Sequence, residues 1–147
     1  MPLSNFWPIY AAETTDTCSG CVATNYYDGL PNSKAIVSQA LHTISAACIC
    51  RNYTNANYGT GIYSDWYLPS LGELNECYSA LAIINTILSG ISGTNIFHQG
   101  NPSVPNFAYW SSTEMLANAA WEYCFSNAVS GTMNKNQLFY VRAVRKY

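Results

Sequence analysis

Six cysteines lead the side chains here whose types suit chemistry: Cys18, Cys21, Cys48, Cys50, Cys77 and Cys124. Cys18-Ser19-Gly20-Cys21 has the spacing of a redox dithiol. Such a pair works when its surroundings lower a thiol pKa, and no strand–helix pattern follows it. Cys18, Cys21, Cys48 and Cys50 are enough to hold zinc, but Cys48-Ile49-Cys50 departs from the usual knuckle spacing. An even cysteine count in a chain with little charge suits an oxidising destination. Disulfides or plain buried thiols are therefore the default, with connectivity left open. Glu73 and Glu76 lie three apart on one helix face, an ordinary surface spacing rather than an acid/base pair. His42 falls beside an apolar helical stripe and reads as structural. His98 lies in the Asn95–Asn106 segment with Gln99 and Asn101, which suits ligand contact. No motif supports a Cys–His nucleophile pair. The residues predict no catalytic group, no metal and no cofactor.

The balance of side chains points the same way. Only 10% of the 147 residues are charged, against about 25% in an ordinary soluble domain. Asn, Ser, Thr and Tyr supply the polar surface, a mixture that suits either a recognition surface or a neutral extracellular skin. The net charge is −2, and the one basic cluster is Arg142, Arg145 and Lys146 in a strand-like terminus. A nucleic-acid partner needs a larger basic footprint. No apolar run approaches the ~20 residues of a membrane span. Met1 to Pro8 lacks a basic stretch and an uninterrupted apolar stretch, and is not read as a signal peptide.

The elements that must position these groups follow from periodicity and punctuation. Residues 1–31, with Pro2, Pro8, Gly20, Gly29 and Pro31, read as an arm or early strand and loop; residues 32–147 read as one domain. Asn32-Ser33 is placed to cap a helix from Lys34 to Cys48, with Ile36, Val37, Ala40, Leu41, Ile44 and Ala47 at helical spacing. Residues 52–61 read as loop and include an Asn52-Tyr53-Thr54 sequon. Pro69 keeps Asp65–Leu68 extended. Ser70 with Glu73 forms a capping box for a second helix, whose stripe runs from Leu71 through Leu88. After a loop over 89–108, three strands are expected at 107–112, 121–126 and 138–145, with Gly131, Asn134 and Asn136 marking a turn. The sum is α+β, two helices packed on small antiparallel sheets with long irregular loops.

Several ordered motifs resemble the Lcl C-terminal domain family, named for the globular head of a bacterial collagen-like adhesin. They are Ser64 to Ser70 entering Glu73-Leu74, Tyr109 to Glu114, Ala120-Trp121 with Phe125, and Tyr140 to Arg145, within residues 34–147. The resemblance implies a C-type lectin-like fold and a non-enzymatic recognition or adhesion role. The expected partner is a glycan or protein on a cell surface, with display on a bacterial surface or phage virion. Val104-Pro105-Asn106 and Trp110-Ser111-Ser112 lack the carboxylates of a calcium-dependent sugar site. The alternative is a structural subunit of a filament or virion that uses the same fold for assembly.

Roles are expected as follows. Asn95, His98, Gln99, Asn101, Asn118, Asn134, Lys135 and Asn136 contact ligand from loops 93–106, 114–119 and 127–137. Met115, Leu116, Val129 and Met133 are apolar residues on loop positions and suit an assembly contact, in a homo-oligomer such as a trimer or a larger assembly. Trp66, Trp110 and Trp121 read as core. Asp65, Glu73 and Glu114 are candidate partners of Arg142 and Arg145 in a buried network that would specify the fold.

Overall fold

The computed structural model describes residues 10–11, 21–40, 42, 44–53, 63–92, 96–99 and 108–146. Asp28 opens helix α1 (Gly29–Val37): its backbone is extended and its side chain accepts the Leu30 N–H. The helix thus begins five residues before the expected Lys34. The proposed caps Asn32 and Ser33 lie inside it and are buried. Their polar atoms bond across the fold, Asn32 to Asn25 and Ser112, and Ser33 to Leu68. The single helix expected to reach Cys48 is broken. Ser45 captures the Cys48 N–H at 3.0 Å and starts a separate helix α2 (Ala46–Arg51). Helix α1 has already stopped at Val37, where the Ser38 N–H and hydroxyl both donate to Lys34 O.

The capping box forms as expected. Ser70 accepts the Glu73 N–H, Glu73 accepts the Ser70 N–H, and helix α3 (Leu71–Ser79) follows. Ala80 leaves helical geometry at φ −100 and ψ 10, which separates α3 from α4 (Leu81–Ser89).

The expected strands become one mixed sheet. Its strands are β1 (Tyr10–Ala11), β2 (Ala108–Leu116), β3 (Ala119–Cys124), β4 (Val129–Asn134) and β5 (Phe139–Tyr140), in the order β1-β5-β2-β3-β4. β5 runs parallel to β2, so the sheet is not purely antiparallel. β4 occupies the stretch read as a turn. The turn itself lies at 125–128, where Ala128 takes φ 58. Gly131, read as turn punctuation, sits in β4 opposite Glu122. A Cβ there would stand 2.6 Å from Glu122 Oε1, so glycine makes room for the neighbouring carboxyl. The expected last strand shortens to two residues, after which Val144 pairs with Tyr67 as an isolated bridge.

Alternation along the strands sends side chains to two cores. Trp110, Ala120, Phe139 and Val141 join Ile36 of α1 and Ala46, Ala47 and Cys50 of α2 on one face. Tyr109, Tyr123, Phe125 and Tyr140 join Leu71 and Leu74 of α3, Leu81 of α4 and Phe97 on the other. Trp110 is fully buried, while Trp66 and Trp121 are half-buried. The boundary expected at 31/32 falls inside α1. Residues 21–31 are stitched into the domain, the Gly72 N–H donating to Tyr26 O and the Glu114 N–H to Ala23 O. Among the described residues, no helix is long and apolar enough to cross a membrane.

Candidate functional site

The candidate ligand residues divide between the two ends of the sheet. β2 and β3 run antiparallel, so Ala108 pairs with Cys124 at one end and Leu116 with Ala119 at the other. His98 and Gln99 belong to the Ala108 end. The His98 N–H donates to Tyr109 Oη at 2.9 Å, and the His98 ring stacks on Tyr140 at 5.5 Å. Asn118, Asn134 and Asn136 belong to the Leu116 end, where the β2–β3 and β4–β5 turns meet through the Lys135 N–H on Asn118 O at 2.9 Å. Eight residue steps of strand lie between Ala108 and Leu116, roughly 27 Å. Among the described residues, His98 and Gln99 therefore do not share one contact surface with Asn118, Asn134 and Asn136. Asn95 and Asn101 lie outside the described residues.

Lys135 does not face solvent. Its side chain is 4% exposed and its Nζ pairs with Glu114 Oε1. Glu114 Oε2 accepts the N–H groups of Val22 and Ala23 at 2.7 and 2.8 Å. The expectation of Lys135 as a ligand contact gives way to a buried ion pair under the turn. Twenty residues of hairpin separate the two in sequence, and nothing local signals the pairing. Asn134 is exposed and its Oδ1 accepts the Asn136 N–H at 3.2 Å, while Asn136 Oδ1 accepts from Gln137 Nε2 at 3.1 Å. Asn118, Asn134 and Asn136 are exposed at this end, as are Met115 and Leu116, 50% and 56% exposed.

The expected Arg–carboxylate network also resolves differently. Arg145 forms a two-point ion pair with Asp65 at 3.0 and 3.1 Å, at the surface. The Arg145 hydrogen bond holds the Asp65 carboxyl below its ordinary range. Arg142 lies over the Phe97 ring at 4.6 Å. Glu73 bonds the backbone N–H groups of Gly29 and Ser70 and the Tyr67 hydroxyl.

An open cleft of about 390 Å³ lies between α3 and the C-terminal segment, with Glu73, Glu76, Cys77, Arg145 and Lys146 on its walls. Lys146 reaches Asp28 at 2.8 Å. Burial pushes the Cys77 thiol up to about 11, so it stays protonated at neutral pH and is a poor nucleophile. Cys48, Cys50, Cys77 and Cys124 are free thiols, so disulfides, one of the two default expectations, do not involve them. Cys18 lies outside the described residues. Among the described residues, no three His, Cys, Asp or Glu side chains gather as metal ligands.

Trp110 in the buried β2 strand, the Ser70–Glu73 cap, and the Tyr67–Val144 bridge tie together the motifs on which the resemblance rested. The sequence matches the Lcl C-terminal domain over residues 7–145. The chain belongs to that family. The match begins well before residue 34, in agreement with the stitching of residues 21–31 into the domain. Membership in the Lcl C-terminal domain family points to a surface adhesin-like module with an extracellular placement. No curated protein matches the chain.

Sequence reading missed one buried acid. Glu122 lies mid-β3 between Trp110 and Gly131, its Oε2 is buried without a hydrogen-bond partner, and burial pushes its carboxyl up to about 7. The alternation of β3 gave its face but not its desolvation.

Proposed function

We propose that this Lcl C-terminal domain is a non-enzymatic recognition head that binds a glycan or protein on a cell surface, displayed outside a bacterium or on a phage virion. A C-type lectin-like fold belongs to this reading. The observation that carries it is the Leu116 end of the sheet. Asn118 and Asn136 amides stand beside exposed Met115 and Leu116. Adaptable hydrogen-bonding groups next to apolar contact area are the means by which loop surfaces recognise targets. The turns that carry them are fixed from below by the Lys135–Glu114 pair, so the surface is held ready at little ordering cost. The protonated Cys77 thiol in the cleft supports a role without chemistry.

A glycan array and a cell-binding assay test this. The N118A/N136A double variant should lose most binding while its thermal midpoint stays within a degree or two of wild type. An H98A/Q99A variant at the opposite end should bind nearly as wild type. Loss in the second pair with none in the first would move the site to the Ala108 end. A blank array and no cell binding would remove the recognition reading.

A second reading, assembly into a homo-oligomer or larger structure, is favoured by the exposure of Val129 and Met133, 54% and 40%, on a strand rather than a loop.

A further inference from the structure

Among the described residues, β4 is the last strand of the sheet and pairs with β3 alone. Every residue of β4 except Gly131 is exposed. Edge strands that stay single are guarded by lysine, proline, bulges or a covering segment. β4, Val-Ser-Gly-Thr-Met-Asn, has no charge, no proline and an unbroken register to β3. The adjoining Lys135 is turned inward onto Glu114, and Glu122 of β3 lies over Gly131.

The register fixes which backbone groups are available. The Lys135 N–H bonds Asn118 O, extending the β3–β4 ladder by one pair. Hydrogen-bonded and non-bonded pairs alternate along an antiparallel ladder. Met133, Gly131 and Val129 therefore bond to β3, and Ser130, Thr132 and Asn134 turn their backbone groups outward.

We propose that this edge is a self-association seam: a second copy of the chain adds its own β4 antiparallel, with Thr132 on the two-fold axis. The inference rests on the assembly reading and gives it a place and a symmetry. In this register Thr132 opposes the partner's Thr132, and Ser130 opposes the partner's Asn134. These are the outward-bonding positions, so the two edges satisfy each other. The side chains match as well. One face sets Ser, Thr and Asn against one another, pairs that hydrogen-bond across strands. On the other face Met133 stands opposite the partner's Gly131, over which Glu122 Oε1 lies, with Val129 at the flank. β4 itself carries no charged residue, so the seam calls for no unlike charge partner. A residue on the axis meets itself, so a charge at 132 would oppose its own copy. The two Leu116 ends then point in opposite directions along the joined sheet, which would let one pair hold two surfaces.

Sedimentation equilibrium of the full chain over a concentration series tests the seam. Wild type should show a monomer–dimer equilibrium. T132K, which places like charges opposite each other, and T132P, which removes an outward N–H at an edge position that tolerates proline, should each weaken it by roughly tenfold or more. Circular dichroism and thermal midpoints of both variants report whether the monomer fold is kept. Under mild oxidation T132C should give a covalent dimer joined through the introduced thiols, while S130C should not, because Ser130 does not face itself. A monomeric wild type overturns the seam and the assembly reading together. A dimer that T132K and T132P leave intact, or one in which T132C fails to cross-link, overturns the seam alone and returns the assembly contact to Met115 and Leu116. Cell binding by monomeric T132K reports on recognition independently.

Discussion

Glu122 shows how one residue departs from what its neighbours in sequence suggest. An acid at the middle of a central strand needs room and a partner, and Gly131 supplies only the room. Its carboxyl, ordinarily near 4.5, titrates near 7 because burial disfavours the charged form. The folded state therefore holds a proton that the unfolded chain has released. Stability from this group is complete below about 4.5 and is lost as pH rises through about 7. Urea midpoints of wild type should fall between pH 5 and pH 8, and E122Q should flatten that part of the profile. Equal slopes for the two proteins would show that Glu122 is not the titrating group. Cys50 illustrates the same physics for a thiol: it is buried, and desolvation pushes its pKa up. Ala128, at φ 58, carries the β3–β4 turn without glycine. Sequence reading therefore had no punctuation there and took Gly131 instead.

At the scale of elements, the start of α3 is where local code and tertiary packing coincide. Ser70 and Glu73 form a capping box readable from four residues. The fold adds to it: Glu73 Oε2 also accepts the Gly29 N–H at 3.0 Å, and Oε1 accepts the Tyr67 hydroxyl at 2.8 Å. One carboxylate thus ties the N-termini of α1 and α3 to the strand-like entry at Tyr67. S70A should cost about 1 kcal/mol in denaturant unfolding. E73A should cost more, about 3 kcal/mol, because it leaves two backbone donors and a hydroxyl unmatched. A cost for E73A no larger than that of S70A would mean the added bonds contribute nothing net. G29A should destabilise as well, since its Cβ would stand 2.4 Å from Leu68 O and 2.6 Å from Ser70 N, both backbone. Helix periodicity found α1 and α3 but misplaced their limits. α1 stops at Ser38 and α3 at Ala80, although the apolar spacing continues past both.

For the molecule as a whole, the Glu114–Lys135 pair joins parts distant in sequence: the 22–23 segment, the end of β2 and the β4–β5 turn. Breaking a buried pair leaves an uncompensated charge, so K135M should destabilise the fold by about 3–5 kcal/mol. E114Q/K135M should cost clearly less than the two single changes summed. Hydrogen exchange at the Val22 and Ala23 amides should speed up in E114Q, because Glu114 Oε2 is their acceptor. Additive single and double variants, with unchanged exchange, would mean the pair does not couple these segments. The surface proposed for recognition, at Asn118 and Asn136, is carried by the turns that this pair holds, so K135M should also weaken any binding there through the turn it loosens.

By itself the sequence determined the family, the α+β class, the Ser70–Glu73 cap, the burial of Trp110 and the alternation of β3. Each of these is written in a few adjacent residues or in a short ordered motif. Only the tertiary structure decided that Lys135 is buried rather than presented, that β4 is an open edge among the described residues, that Arg142 lies on Phe97 while Glu114 takes a lysine, and that the described candidate ligand residues lie at two ends of the sheet. Those outcomes depend on which strands pair and in what register. Register is fixed by the whole apolar pattern of both sheet faces rather than by any local stretch.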